Sequence, residues 1–219
     1  MARLGGAFEL LRNPKRLTGI ELVFNIAEGT HGRCREAWVP NLLELHGVPW
    51  VGSDPLALSL GLDKVTSKQL AMASDVPTPR WMSLRHPADL PPSVPLRFPV
   101  IVKPRAQGSG IGIDPGAVVH DDEALRHRVR RLFARWPPAP AMGQRGGPGE
   151  PMLVEEFVDG GELTVLLIGN DPSTAYPAIQ RPIDPATRLS YHVVHRTTEG
   201  PWETPLTLCV AILSLIIWI

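Results

Sequence analysis

Apolar positions along the chain fall into short blocks whose period switches between that of a strand and that of a helix. Leu22 to Ile26 (LVFNI) is a β-branched and aromatic run that leads into Ala27-Glu28-Gly29-Thr30-His31-Gly32, the pattern of a buried strand feeding a glycine loop. A helix is expected over Arg35 to His46, with Trp38, Leu42, Leu43 and Leu45 apolar, Pro40 in its first turn or at a kink, and Gly47 at C′. Val48 to Val51 returns as a strand. Ser53 or Asp54 then caps a helix that opens on Pro55 and runs toward Leu62-Asp63-Lys64. Strand, helix, strand, helix predicts a parallel α/β layer.

Thr66 to Ala73 reads as a further helix, stopped by Val76-Pro77-Thr78-Pro79, a stiff connector. Phe98 to Lys103 (FPVIVK) is an apolar strand, Gly108 to Gly112 a glycine-rich turn, and Ala117 to Val119 a returning strand. Asp121 or Asp122 caps a helix whose Leu125, Val129, Leu132, Phe133 and Trp136 form one stripe, expected to pack on a sheet. Its other face carries Arg126, His127, Arg128, Arg130, Arg131 and Arg135; with no aromatic residues interleaved it reads as a solvated face rather than a nucleic-acid or lipid surface. Pro137 to Pro151 has the composition of a mobile loop. Met152 to Val158 and Glu162 to Ile168 are expected as a hairpin or adjacent strand pair around Asp159-Gly160-Gly161, and Gly169-Asn170-Asp171 turns into Ala175 to Gln180.

Composition narrows the classes. Across 219 residues, 22 Lys plus Arg balance 22 Asp plus Glu, so bulk charge gives no support to a nucleic-acid or acidic-membrane binder. An apolar share of 43% and a charged share of 20% fit a globular chain, with 20 Gly and 24 Pro adding turns. Cys34 and Cys209 lie far apart without metal-type spacing, which suits a reducing cytoplasm better than a disulfide framework or a zinc site. The opening residues lack a secretory pattern, so export is not expected. Leu206 to Ile219 (LTLCVAILSLIIWI) is uncharged and about 14 residues long, against the roughly 20 needed to span a bilayer. It reads as a core strand or helix, an anchor, or the product of an aberrant reading frame or gene end.

Two segments carry candidate chemistry. In residues 98–113 (FPVIVKPRAQGSGIGI) a lysine ends an apolar strand and a turn with three glycines comes next. Glycines let backbone N–H groups converge on an anion, Ser109 adds a hydroxyl donor and Lys103 a fixed positive charge, although a structural β-turn also explains a glycine cluster. The lysine precedes the glycines, so this is not a Walker A loop. In residues 152–164 (MLVEEFVDGGELT), Glu155 and Glu156 sit on a strand, Phe157 and Val158 come after them, and Glu162 lies past a glycine turn. Such carboxylates can accept from an adenine amine and a ribose hydroxyl while the Phe157–Val158 backbone reads a purine edge; alone, the segment would be a hairpin with polar outer positions.

Together and in this order, Lys64, the Lys103 strand with its glycine turn, and the 152–164 segment resemble an α/β (α+β) ATP-grasp fold. The chain resembles the D-alanine–D-alanine ligase family over about residues 21 to 200, with further matches at Phe24-Asn25-Ile26-Ala27-Glu28-Gly29, Arg35-Glu36, Pro40, Val48-Pro49, Gly52-Ser53-Asp54-Pro55 and Leu62-Asp63-Lys64. The resemblance implies a partial amino-terminal α/β domain over 1–52, a central ATP-grasp subdomain over 53–155 and a carboxy-terminal subdomain over 156–219. It further implies that Lys64 and Lys103 hold nucleotide phosphates under a loop formed by Gly108, Ser109, Gly110, Ile111 and Gly112. Ser109 fixes that loop at the reaction centre, Glu155, Phe157 and Val158 recognise adenine, and Glu162 takes the ribose. Tyr191 matches the family's loop tyrosine, and His195 is set against a loop lysine.

The implied activity is that of an ATP-dependent carboxylate–amine ligase: an acyl phosphate forms from ATP and a D-alanine carboxylate, and a second amino acid's amine displaces phosphate, as in making a peptidoglycan precursor. ATP, magnesium and small amino acids are the implied ligands, with no nucleic acid, no membrane and a homo-oligomer as an open option. Two departures qualify this expectation. The family's first strand and helix have no counterpart in the first 20 residues, and beyond Pro205 the apolar tail stands where an arginine and the Asp, Glu and Asn ligands of magnesium are expected, so no metal ligand is assigned. The sequence therefore predicts a cytoplasmic ligase impaired in catalysis, the alternatives being an inactive nucleotide-binding remnant or a membrane-associated accessory protein.

Overall fold

The computed structural model describes residues 7–29, 32–137 and 149–190. The first layer is built on α1 (Ala7–Arg12), a 3-10 turn (Pro14–Leu17), β1 (Val23–Phe24), α2 (Trp38–Leu45) and β2 (Trp50–Val51). β1 and β2 pair in parallel, Val23 opposite Trp50, as the alternation of elements predicts. Leu10, Leu17, Val23, Val39, Leu43 and Val48 close its core. Arg35–Ala37 is 3-10, and α2 proper starts at Trp38. Pro40 thus falls in the first turn, where its missing N–H has no intrahelical partner to lose.

Two capping aspartates set the next pair of helices. Asp54 accepts from the Ala57 N–H and starts α3 (Pro55–Leu62), and Asp63 accepts from the Val65 and Thr66 N–H groups and starts α4 (Lys64–Ala73). Lys64 is therefore the first residue of a helix, close to the positive end of its dipole.

β3 (Trp81–Leu84), β4 (Val100–Pro104), β5 (Val118–Val119) and, after α5 (Asp122–Arg135), β6 (Met152–Glu156) assemble one four-stranded antiparallel sheet in the order β3-β6-β4-β5. The strand period of two divides its faces. Val100, Val102, Met152 and Val154 pack with Leu84 against Leu125, Val129, Leu132 and Phe133 of α5, the stripe read in the sequence. The opposite face carries Ile101, Lys103, Leu153 and Glu155, with Glu155 opposite both Trp81 and Ile101.

Two expectations need correction. Residues 152–158 and 162–168 do not form a hairpin: β6 has β3 on one edge and β4 on the other, so neither edge is open to residues 162–168. Instead β7 (Glu162–Thr164) pairs with β10 (Ile179–Arg181), and β8 (Leu167–Ile168) pairs with β9 (Thr174–Ala175), all antiparallel. Arg128 is not on a solvated face. It is 2% exposed because it borders the apolar stripe, and its guanidinium reaches both Asp114 oxygens at 2.7 Å and the Gly112 carbonyl at 2.7 Å. Residues 138–148 of the proline-rich loop and the 206–219 tail, with Cys209, lie outside the described residues. Among the described residues no helix is long and apolar enough to cross a membrane.

Candidate functional site

β4, β6 and α4 bring three ammonium groups around one buried carboxylate. Glu155 Oε1 pairs with Lys103 of β4, and Glu155 Oε2 pairs with Lys68 of α4 at 2.7 Å. The Lys68, Lys103 and Glu155 side chains are 11%, 10% and 8% exposed. Burial pushes the Glu155 carboxyl up, and Lys103 and Lys68 together bring it below the usual carboxylate range. Lys64, one turn before Lys68, donates from Nζ to the Arg105 carbonyl at 3.4 Å and to the Gln107 carbonyl. Burial and then the nearby charge of Lys103 lower its ammonium to about 8, against the pull of Glu150 and Glu155. Three lysines converge where Glu155, Glu150 and, toward Lys64, Glu36 are the balancing charges. A half-buried surplus of ammonium favours a polyanionic ligand.

Lys68 is the member of this cluster that the sequence reading missed. The signal was its spacing of four from Lys64, which places both ammonium groups on one face of α4.

The strand-to-loop junction is latched to the same helix. The Lys64 N–H donates to the Arg105 carbonyl at 3.2 Å. The Arg105 guanidinium forks onto both Asp63 oxygens at 2.7 and 2.8 Å, and Arg33 adds a second ion pair at 2.6 Å. Burial would raise the Asp63 carboxyl, but hydrogen bonds from Arg105, the Thr66 N–H and Arg33 outweigh it and hold it at about 2. From there the chain enters the glycine loop, where Ser109, Gly110 and Gly112 adopt φ of 52°, 72° and 83°. Gly112 is obligatory on space as well as on φ, since a Cβ there would lie 2.5 Å from the Pro104 ring. Glu150, just ahead of β6, accepts from the Ala106 N–H at 2.6 Å and from Gln107 at 3.1 Å. Ser109 donates to Glu28, in the loop after β1, at 2.6 Å, so the glycine loop spans from the central sheet to the first layer.

The other residues singled out from sequence occupy a neighbouring strand and its approach. The Phe157 ring packs on Ile101, Ala117 and Leu189, and its N–H donates to the Pro99 carbonyl at 2.9 Å. That N–H is engaged by the sheet and is not free to read a purine edge, while Val158 is exposed. Glu162 is buried, paired with Arg181 at 3.0 Å and accepting from the Ser190 hydroxyl. A ribose hydroxyl reaching Glu162 must share it with those two donors. Glu156 points away from this face and pairs with Arg97 at 3.1 Å. Tyr191 and His195 lie outside the described residues.

Known proteins share this fold, although no family model matches the chain. A D-alanine–D-alanine ligase of Xylella fastidiosa is 36% identical over 151 residues, covering 67% of this chain and 44% of that relative. Two structures of the D-alanine–D-alanine ligase from Bacillus anthracis, the second complexed with ATP, give TM-scores of 0.59 and 0.56 at 21% and 20% identity, covering 91% and 94% of this chain and 60% of each of theirs. The chain belongs to the D-alanine–D-alanine ligase family. An uncharacterized protein of Sinorhizobium fredii is also similar, 36% identical over 159 residues, which is 73% of this chain and 42% of that one. The chain spans about half the length of the curated relatives it matches. In this ATP-grasp fold, the antiparallel sheet β3-β6-β4-β5 is the platform that places Lys103 and Glu155 beside the α4 lysines.

Proposed function

We propose that this chain binds ATP and acts as an ATP-dependent carboxylate–amine ligase of the D-alanine–D-alanine type. The observation that carries the reading is the pairing of Lys68 and Lys103 with Glu155, with Lys64 bonded to the carbonyls that lead into a loop with three left-handed residues in sequence positions 109 to 112. Lys64 and Lys103 would neutralise phosphate oxygens, because their charges face the entry to the glycine loop and phosphate replaces the solvation that burial removes. Glu155 would accept from an exocyclic amine, and Glu162 from a ribose hydroxyl. Ser109, tied to Glu28, would hold the loop down.

In the proposed reaction a phosphoryl group moves from ATP to a D-alanine-like carboxylate. An amine then attacks the acyl carbon, an amide forms and phosphate leaves. Lysine charge opposes the negative charge that develops on the transferring oxygens, the effect on which such transfers chiefly depend. Magnesium belongs to the proposed reaction, but among the described residues no group of three His, Cys, Asp or Glu could hold a metal ion, so no step is assigned to metal ligands here.

The lowered ammonium of Lys64 gives a pH signature. Only the protonated form attracts phosphate, so ATP affinity strengthens as pH falls through about 8 and weakens above it. The test of the activity is phosphate release from ATP by the full chain with magnesium, with and without D-alanine. D-alanine-dependent release that is lost in Lys103→Met is the expected result; absent release, or release indifferent to D-alanine, contradicts the ligase reading.

A further inference from the structure

The three ammonium groups of the cluster are not equivalent. Lys68 Nζ has three N–H donors and three acceptors arranged around it: Glu155 Oε2 at 2.7 Å, Thr78 Oγ1 at 2.6 Å and the Pro79 carbonyl at 3.2 Å. A lysine so committed has no donor left for a phosphate. Thr78 and Pro79 belong to the connector between α4 and β3, bounded by Pro77 and Pro79 and so restricted in φ, which makes the anchor stiff. Lys103, by contrast, is held at Nζ by Glu155 Oε1 and can turn toward an anion. When it does, Lys68 is the counter-ion that Glu155 keeps.

We infer that Lys68 is a positioning residue that fixes Glu155 as the acceptor for a purine's exocyclic amine and thereby sets a preference for adenine over guanine nucleotides. The inference rests on the nucleotide reading above and adds to it the determinant of base choice. A carboxylate at this position accepts from the adenine 6-amino group and opposes the guanine 6-oxo group, which is itself an acceptor. Discrimination of that kind requires the carboxylate to stay in one pose and to stay charged. The charged groups that act on it are Lys68 from α4 and Lys103 from β4, while Lys64 feels the charges of Glu150 and Glu155. Without Lys68, burial of Glu155 is opposed by Lys103 alone, and by less once Lys103 turns to phosphate, so its carboxyl moves up.

The experiment measures ATP and GTP dissociation constants by calorimetry on the full chain, between about pH 5 and pH 8, for wild type, Lys68→Met, Lys68→Gln and Lys68→Arg. Gln keeps much of the length and hydrogen-bonding capacity without charge, which protects against a result that reflects only lost folding, and Arg keeps the charge. Wild type is expected to prefer ATP by about 10-fold or more, with an ATP-to-GTP affinity ratio whose acid limb is flat because the two triphosphates titrate alike, while Met and Gln bring the preference within roughly 3-fold, mainly by weakening ATP, and lose what preference remains as pH falls toward about 5. Arg is expected to retain most of the preference and the flat acid limb. A neutral variant that keeps both the preference and the flat limb overturns the inference, as does Arg behaving like Gln. A wild-type chain that binds neither nucleotide overturns the nucleotide reading and this inference with it.

Discussion

The Asp63 carboxylate accepts from two backbone N–H groups of α4 and from the side chains of Arg33 and Arg105, so a single residue caps a helix and ties it to the end of β4. Its carboxyl is depressed from 3.8 to about 2 in the folded chain. A depressed carboxylate contributes stability that is fully present above its unfolded pKa and is lost as pH falls through the folded one. The window therefore runs from about pH 4 down to about pH 2, and the contribution is on the order of 2 kcal/mol. Asp63→Asn keeps a good cap but removes the charge that faces Arg105, so at neutral pH it should cost ~1–3 kcal/mol in urea unfolding and flatten the acid limb of the stability profile. An unchanged midpoint would show that the latch contributes nothing. Other residues of the site were legible in the chain because their chemistry is local: Lys103 at the end of an apolar strand, glycines directly after it, Glu155 and Glu162 around a glycine turn. Lys68 was not, because only the docking of α4 against β6 turns an ordinary helix lysine into a partner of Glu155.

At the scale of elements, the sheet has a packing face and a site face, and α5 serves the first. Leu125 is fully buried in the core cluster that includes Val100, Val102 and Val129, on the side of the sheet opposite Lys103 and Glu155. Leu125→Ala should cost about 2–5 kcal/mol of stability by leaving a cavity, while ATP affinity at saturating fold stays within ~2-fold. Denaturation and calorimetry on one preparation separate the two, and a large loss of affinity would mean that the two faces are coupled. The α5 stripe was readable because a helix repeats its apolar positions at 3.6 residues, and its cap was readable because Asp121 accepts from Ala124 at 2.8 Å, as such caps do. Burial of Arg128 was not readable, since its partner Asp114 arrives from the loop before β5 and nothing in the helix period reports it.

At the scale of the molecule, what the sequence hid was pairing. Alternation of strands and helices correctly anticipated the parallel contact of β1 with β2, and the apolar runs located β4 and β6. Insertion of β6 between β3 and β4 is a long-range choice that leaves no local mark, and it excluded the hairpin expected around residues 159–161. That insertion also creates the site, because it brings Glu155 of β6 within reach of Lys103 of β4 and Lys68 of α4. The central claim is that this lysine cluster is a nucleotide site, and calorimetric titration of the full chain with ATP tests it most directly, comparing wild type with Lys64→Met and Lys103→Met. The account predicts saturable ATP binding by wild type and a loss of ~10-fold or more in each variant, since each removes a charge-assisted phosphate contact. Affinity unchanged in both variants, or no binding by the wild-type chain, would contradict it.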